Sequence, residues 1–81
     1  MPRIQVKDRI PGAIYWVGES PSRCDCCDKP IRDLFVDGKT KGGPWGNLLP
    51  ECHATIGLGL GMGLGQKYQR QEDGRWLKIE G

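Results

Sequence analysis

GESPSRCDCCDKP, residues 18–30, sets three cysteines and two prolines among turn-forming side chains and has no apolar periodicity of its own. A loop of this kind is not held by a ladder of hydrogen bonds, so its order has to come from another source. Cys24 and Cys27 have C-x2-C spacing, which closes a tight turn whose backbone N–H groups point at the sulfurs and stabilise their negative charge. Tetrahedral zinc wants four N or S donors, and Cys52 and His53 follow after residues 28–51, a gap long enough for a hairpin. Zinc ribbons and treble clefs are arranged in this way, with the second ligand pair at or near a helix start. The expected metal set is therefore Cys24, Cys27, Cys52 and His53. Position 49, where a second C-x2-C would begin, is Leu49, so Cys26 is the runner-up to His53 as fourth donor, ahead of water or none. The alternatives are free thiols or a disulfide such as Cys24 with Cys52.

Outward from this loop, the composition explains why a staple is needed. The chain has 81 residues, 37% of them hydrophobic, and 13 glycines that raise the entropy cost of ordering the backbone. That is room for one domain, 1–81, with a core too small to be comfortable without a disulfide, a metal or a partner chain. Lys7, Asp8, Arg9 and Pro11 interrupt any apolar core a signal peptide would need, so a cytoplasmic protein is expected, where thiols stay reduced and ligate metal. No apolar stretch approaches the roughly 20 residues of a membrane span, so no membrane partner is expected. The net charge of +2 is too small to announce a nucleic-acid binder, leaving only a local basic face for that purpose.

Residues 3–10, RIQVKDRI, alternate as a half-buried strand that Pro11-Gly12 ends, and AIYWV, 13–17, reads as a second strand pairing back on it. IRDLFVDGKT, 31–40, runs into Asp37-Gly38, a hairpin signal, with KTKGGPWGNLL as the return arm. PECHATI, 50–56, has a proline suited to a first helical turn and Glu51 at the positive end of the dipole, so a short helix is expected before Gly57. A C-terminal hairpin is expected around Glu72-Asp73-Gly74. Trp16 and Trp45 read as core anchors in a domain poor in large apolar residues.

Several pieces, in order, carry a resemblance: Cys24-Asp25, Cys27, Pro30-Ile31, Phe35-Val36-Asp37-Gly38-Lys39-Thr40, Gly43-Pro44-Trp45, Pro50, Cys52-His53, and Gly57-Leu58-Gly59 through Gly65-Gln66-Lys67-Tyr68. Over this stretch the chain resembles a family of small bacteriophage and prophage proteins with a zinc-ribbon-like C-x2-C…C-x2-C-H motif and a glycine-rich segment ending in Gln-Lys/Arg-Tyr. The resemblance implies a phage origin, a host-cell cytoplasm and a small zinc-finger-like fold, and no particular activity. Leu49 departs from the family's second C-x2-C pair. Residues 47–53, NLLPECH, are also similar to the zinc-pinned segment of HNH-type endonucleases. Those enzymes need an upstream histidine as general base, and this chain has one histidine only, so an inactive relative is the most that similarity implies.

GLGLGMGLGQ, residues 57–66, has glycine at every odd position, which forbids the G-x-G-x-x-G fingerprint, and no Walker loop follows. It reads as a loop wrapping the core with its leucines, or else as an extended ladder whose bare backbone face lets a base or phosphate approach. Lys67, Tyr68, Arg70, Arg75 and Lys78 lie beside it, with Trp76 among them, as a single-strand binding surface requires. The expectation is thus a small β-rich α+β domain of zinc-ribbon or treble-clef type with a short helix near Cys52. It binds zinc and is not an enzyme, since no nucleophile with a base and no second histidine is present, and no small-molecule substrate is expected. Its partner is DNA or RNA on those five residues, or a host protein that it modulates.

Overall fold

The computed structural model describes residues 13–81. The strand expected over 3–10 lies outside the described residues. Four strands form one antiparallel sheet: β1 Leu34–Lys39, β2 Trp45–Leu48, β3 Gly65–Arg70 and β4 Trp76–Glu80, in the order β2-β1-β3-β4. One helix, α1 Pro50–Ile56, lies between β2 and β3 in the chain and packs on β1 and β2. The fold is thus a small, mostly antiparallel β-sheet with one short helix.

Phe35 and Val36 are adjacent in β1 and almost fully buried. Side chains alternate along a strand, so this pair shows that both faces of the sheet are covered. On one face Phe35 stands opposite Tyr68, and these two with Ile31 and Trp76 form the core, against which Trp16 and Leu49 pack. Phe35 stacks on Tyr68 at 5.1 Å between centroids and meets Trp76 and Trp16 edge-on at 4.9 and 5.2 Å. Each such pair contributes about 0.5–1.5 kcal/mol beyond its area burial, so a cluster built round the single phenylalanine compensates for the shortage of aliphatic residues. Trp16, expected as a core anchor, is one. Trp45 is not: it is 47% exposed, because it lies at the end of edge strand β2, opposite Lys39.

On the other face Val36 pairs with Leu48, both buried, and Gly38 lies between Gly46 and Gly65 in the register. The hairpin expected at Asp37-Gly38 is displaced. That dipeptide sits inside β1, and the chain reverses after Thr40, with Gly43 N–H donating to Thr40 O at 2.9 Å. Gly43 has φ +112, which the turn needs, so Gly42-Gly43-Pro44 supplies the reversal. Gly38 is glycine for another reason, since a Cβ there would lie 3.0 Å from the His53 ring.

The helix starts at Pro50 and ends before Gly57, as the proline and glycine positions imply. The C-terminal hairpin also forms where expected. Gly74 takes φ +90, and Asp73 Oδ1 accepts the Arg75 N–H at 2.9 Å. Residues 13–17 run beside β4, through a Tyr15–Leu77 bridge and bonds from Trp16 N to Trp76 O and from Lys78 N to Ile14 O. No helix among the described residues is long and apolar enough to cross a membrane.

Candidate metal centre

The cysteine loop is a folded knuckle. Cys24 N–H donates to Lys29 O and Asp28 N–H returns to Cys24 O, both at 2.9 Å, while Asp28 takes φ +64 to close the turn. Aspartate tolerates this left-handed conformation better than most residues with a Cβ. Arg23 Nη1 donates to Asp28 O at 2.8 Å across the base of the loop. Two bonds tie the knuckle to β2: Asp25 N–H to Asn47 O at 3.0 Å and Asn47 N–H to Asp25 Oδ2 at 2.8 Å. These bring the loop against the β2–α1 junction.

There the sulfurs of Cys24, Cys27 and Cys52 converge, all within 4.8 Å of one another, and none is in a disulfide. Cys24 is buried, Cys52 half-buried on the first turn of α1, and Cys27 exposed. The Cys24 sulfur accepts N–H bonds from Cys26 at 3.4 Å and from Leu49 at 3.3 Å. Burial alone would raise the Cys24 thiol. The backbone N–H groups of Cys27, Leu49 and Cys26, with the Cys52 thiol, outweigh burial and lower it below the ordinary cysteine range. The Cys52 thiol is raised, first by its own burial, then by the neighbouring sulfurs of Cys27, Cys24 and Cys26 and the negative charge gathered on Cys24. A divalent cation bound here would draw the thiol protons off. Zinc–sulfur bonds of about 2.3 Å place tetrahedral sulfurs about 3.8 Å apart, so these three thiols need only a small contraction to hold such an ion.

His53, the expected fourth donor, is not part of the cluster. Successive residues on a helix point about 100° apart, so when Cys52 faces the knuckle His53 faces the sheet. Its ring is buried over Gly38, Gly57 and Gly65. Its Nε2 lies 2.9 Å from Gly59 O, and since a carbonyl only accepts, Nε2 carries the proton and donates it. The three glycines make room for that ring: a Cβ on Gly57 would overlap it, and one on Gly65 would come within 2.9 Å of Gly59 O. Sequence reading missed this packing role, although glycines at 38, 57 and 65 on separate elements were its signal. Leu49 contributes its N–H to Cys24 and its side chain to the aromatic core.

The glycine ladder is not extended. Gly59, Gly61 and Gly63 have φ of +103, +127 and +78, and Gly61 pairs with Gly65 across a tight turn. Leu58, Leu60 and Leu64 are each about two-fifths exposed and Met62 is 95% exposed, so these side chains do not wrap the core. Lys39 N–H and O bond Leu64 O and Leu58 N–H, which sets this loop on one side of Lys39 while Trp45 pairs with it on the other.

The residues expected to form a nucleic-acid surface are mostly engaged within the fold. Tyr68 is 5% exposed under Phe35 and Trp76 is 2% exposed, so neither ring is free to stack on a base. Lys67 lies 3.9 Å from Glu80. Arg75 pairs with Asp73 at 2.8 Å and covers the Tyr15 ring, and Arg70 covers Trp76. Lys78 is half-buried on β4. No known family model, curated protein or solved structure matches the chain.

Proposed function

We propose that Cys24, Cys27 and Cys52 hold one structural zinc ion, that the domain is of zinc-ribbon type, and that it works as a non-enzymatic module binding a protein. The observation that carries the metal reading is the convergence of the three sulfurs from a loop and a helix, with two N–H groups already aimed at the deepest of them. Sulfur donors select zinc over harder divalent cations. The one histidine is bonded to Gly59 O and is engaged in packing, so it is not presented as a general base.

A protein partner is favoured over nucleic acid because the aromatic rings that would stack on bases form the core. Of the large apolar groups left exposed among the described residues, Trp45, Leu58, Leu60, Met62 and Leu64 belong to the two segments that flank Lys39, while Ile14, Val17 and Ile79 lie elsewhere. That the partner belongs to a bacterial host, in its cytoplasm, follows from the resemblance to phage proteins alone. Native mass spectrometry with and without a chelator tests the metal centre. A mass excess of one zinc, lost together with the folded charge-state distribution on chelation, is expected; a folded, metal-free protein refutes it.

A further inference from the structure

Three protein sulfurs leave one corner of a zinc tetrahedron to fill, and the structural sites of this metal are four-coordinate. We propose that the fourth donor is Cys26, so that the centre is a four-thiolate site drawing three sulfurs from one loop; this rests on the reading of Cys24, Cys27 and Cys52 as zinc ligands. Two other donors near the site are engaged elsewhere. His53 is bonded to Gly59 O on the far side of α1, and Asp25 Oδ2 holds the Asn47 N–H. Leu49 offers only its backbone, already given to Cys24.

Cys26 lies where the missing donor is required. Its own N–H is bound to the Cys24 sulfur at 3.4 Å, which fixes its backbone at the mouth of the knuckle. Its sulfur is not among the three that already lie within 4.8 Å of one another, so it has to swing in to reach a shared ion. The side chain is exposed and packs in no core cluster, so rotation about its Cα–Cβ bond carries the sulfur toward a bound ion at little cost. A zinc ion already held by Cys24, Cys27 and Cys52 then has a soft sulfur within reach, and sulfur is preferred to water at a structural site.

Two measurements on the full chain test this. In the first, zinc-loaded protein is treated with iodoacetamide and the modified cysteines are mapped by mass. All four thiols are expected to be protected, Cys26 included; alkylation of Cys26 at the rate of a free exposed thiol while the other three stay protected overturns the proposal. In the second, cobalt replaces zinc and sulfur-to-cobalt charge transfer is compared with Cys26→Ala. The variant is expected to keep about three quarters of the intensity, as three sulfurs replace four, and to bind zinc at least about tenfold more weakly. Unchanged intensity and affinity in the variant count against Cys26. If the unsubstituted chain takes up neither metal and zinc protects none of its thiols, the three-sulfur centre itself is wrong, and the two failures are thereby told apart.

Discussion

The Nε2–H of His53 donates to the carbonyl oxygen of Gly59 at 2.9 Å, and this bond, with the ring's seat on Gly38 and Gly65, joins α1 to the glycine-rich loop. Cys52, one residue earlier, faces the thiol cluster. Two adjacent side chains therefore serve two different faces of the domain, and their substitutions should separate. His53→Ala is expected to lower stability by about 2–4 kcal/mol, through a lost buried hydrogen bond and a ring-sized void, and to leave one zinc bound. Cys52→Ser is expected to lose the zinc. Denaturant titration paired with metal analysis checks both, and loss of zinc from the folded His53 variant would contradict the assignment.

Gly38 is in strand conformation without positive φ, so alanine there meets no backbone strain, only the His53 ring at 3.0 Å and Val36 Cγ1 at 3.3 Å. Gly38→Ala should destabilise by about 1–3 kcal/mol. Much of that cost should vanish in the His53→Ala background. A double-mutant cycle should return a coupling of about 1 kcal/mol or more, and additivity would show that the ring is not what requires glycine.

Asp37 lies beside Gly38 in β1, and burial raises its carboxyl above the ordinary aspartate value. A carboxyl raised by folding favours the protonated form. Its contribution is present in acid and is lost as pH climbs from the unfolded value, 3.8, through the raised folded one. Above that window the folded chain carries a partly desolvated charge. Asp37→Asn should therefore stabilise the protein at neutral pH, by less than about 1 kcal/mol because the site is still partly solvated, and flatten the loss of stability on leaving acid. Melting temperatures from pH 3 to 7 for both proteins decide it; a variant less stable at pH 7 would show a native bond to the carboxylate.

With Tyr68 and Trp76 in the core, retention on single-stranded DNA or RNA is expected to be absent at about 50 mM salt. Binding at low salt that falls steeply with ionic strength would restore the nucleic-acid reading through Arg70, Arg75 and Lys78. On the protein-binding reading, Met62→Lys should change stability by no more than about 0.5 kcal/mol, since the side chain is 95% exposed, while weakening capture of a partner.

The parts of this fold legible in the sequence were those fixed by local chemistry. Pro50 and Gly57 bound a helix wherever it packs, Glu72-Asp73-Gly74 turns a hairpin whatever lies beneath it, and C-x2-C closes a knuckle through its own backbone. The misread parts were decided across the chain. Asp37-Gly38 has the composition of a turn, but its glycine answers to a histidine on α1, so the reversal moved to Gly43. His53 has the chemistry of a ligand, and only the direction it leaves the helix disqualifies it. Tyr68 and Trp76 looked like a binding surface because the sequence does not say that one phenylalanine on β1 needs both of them.

The staple also has a meaning for the chain before it folds. An ion shared by Cys24 and Cys52 would bracket the whole β1–β2 hairpin and close a ring of roughly 30 residues, a cross-link that by chain-entropy reasoning would remove about 3.6 kcal/mol of freedom from the unfolded ensemble. Those residues include Phe35, Val36 and Leu48, the three most completely buried large side chains. A chain that captures its metal early would begin its search with the β1–β2 hairpin and α1 already tethered to the knuckle, so the rate of refolding, and not only its endpoint, should depend on zinc.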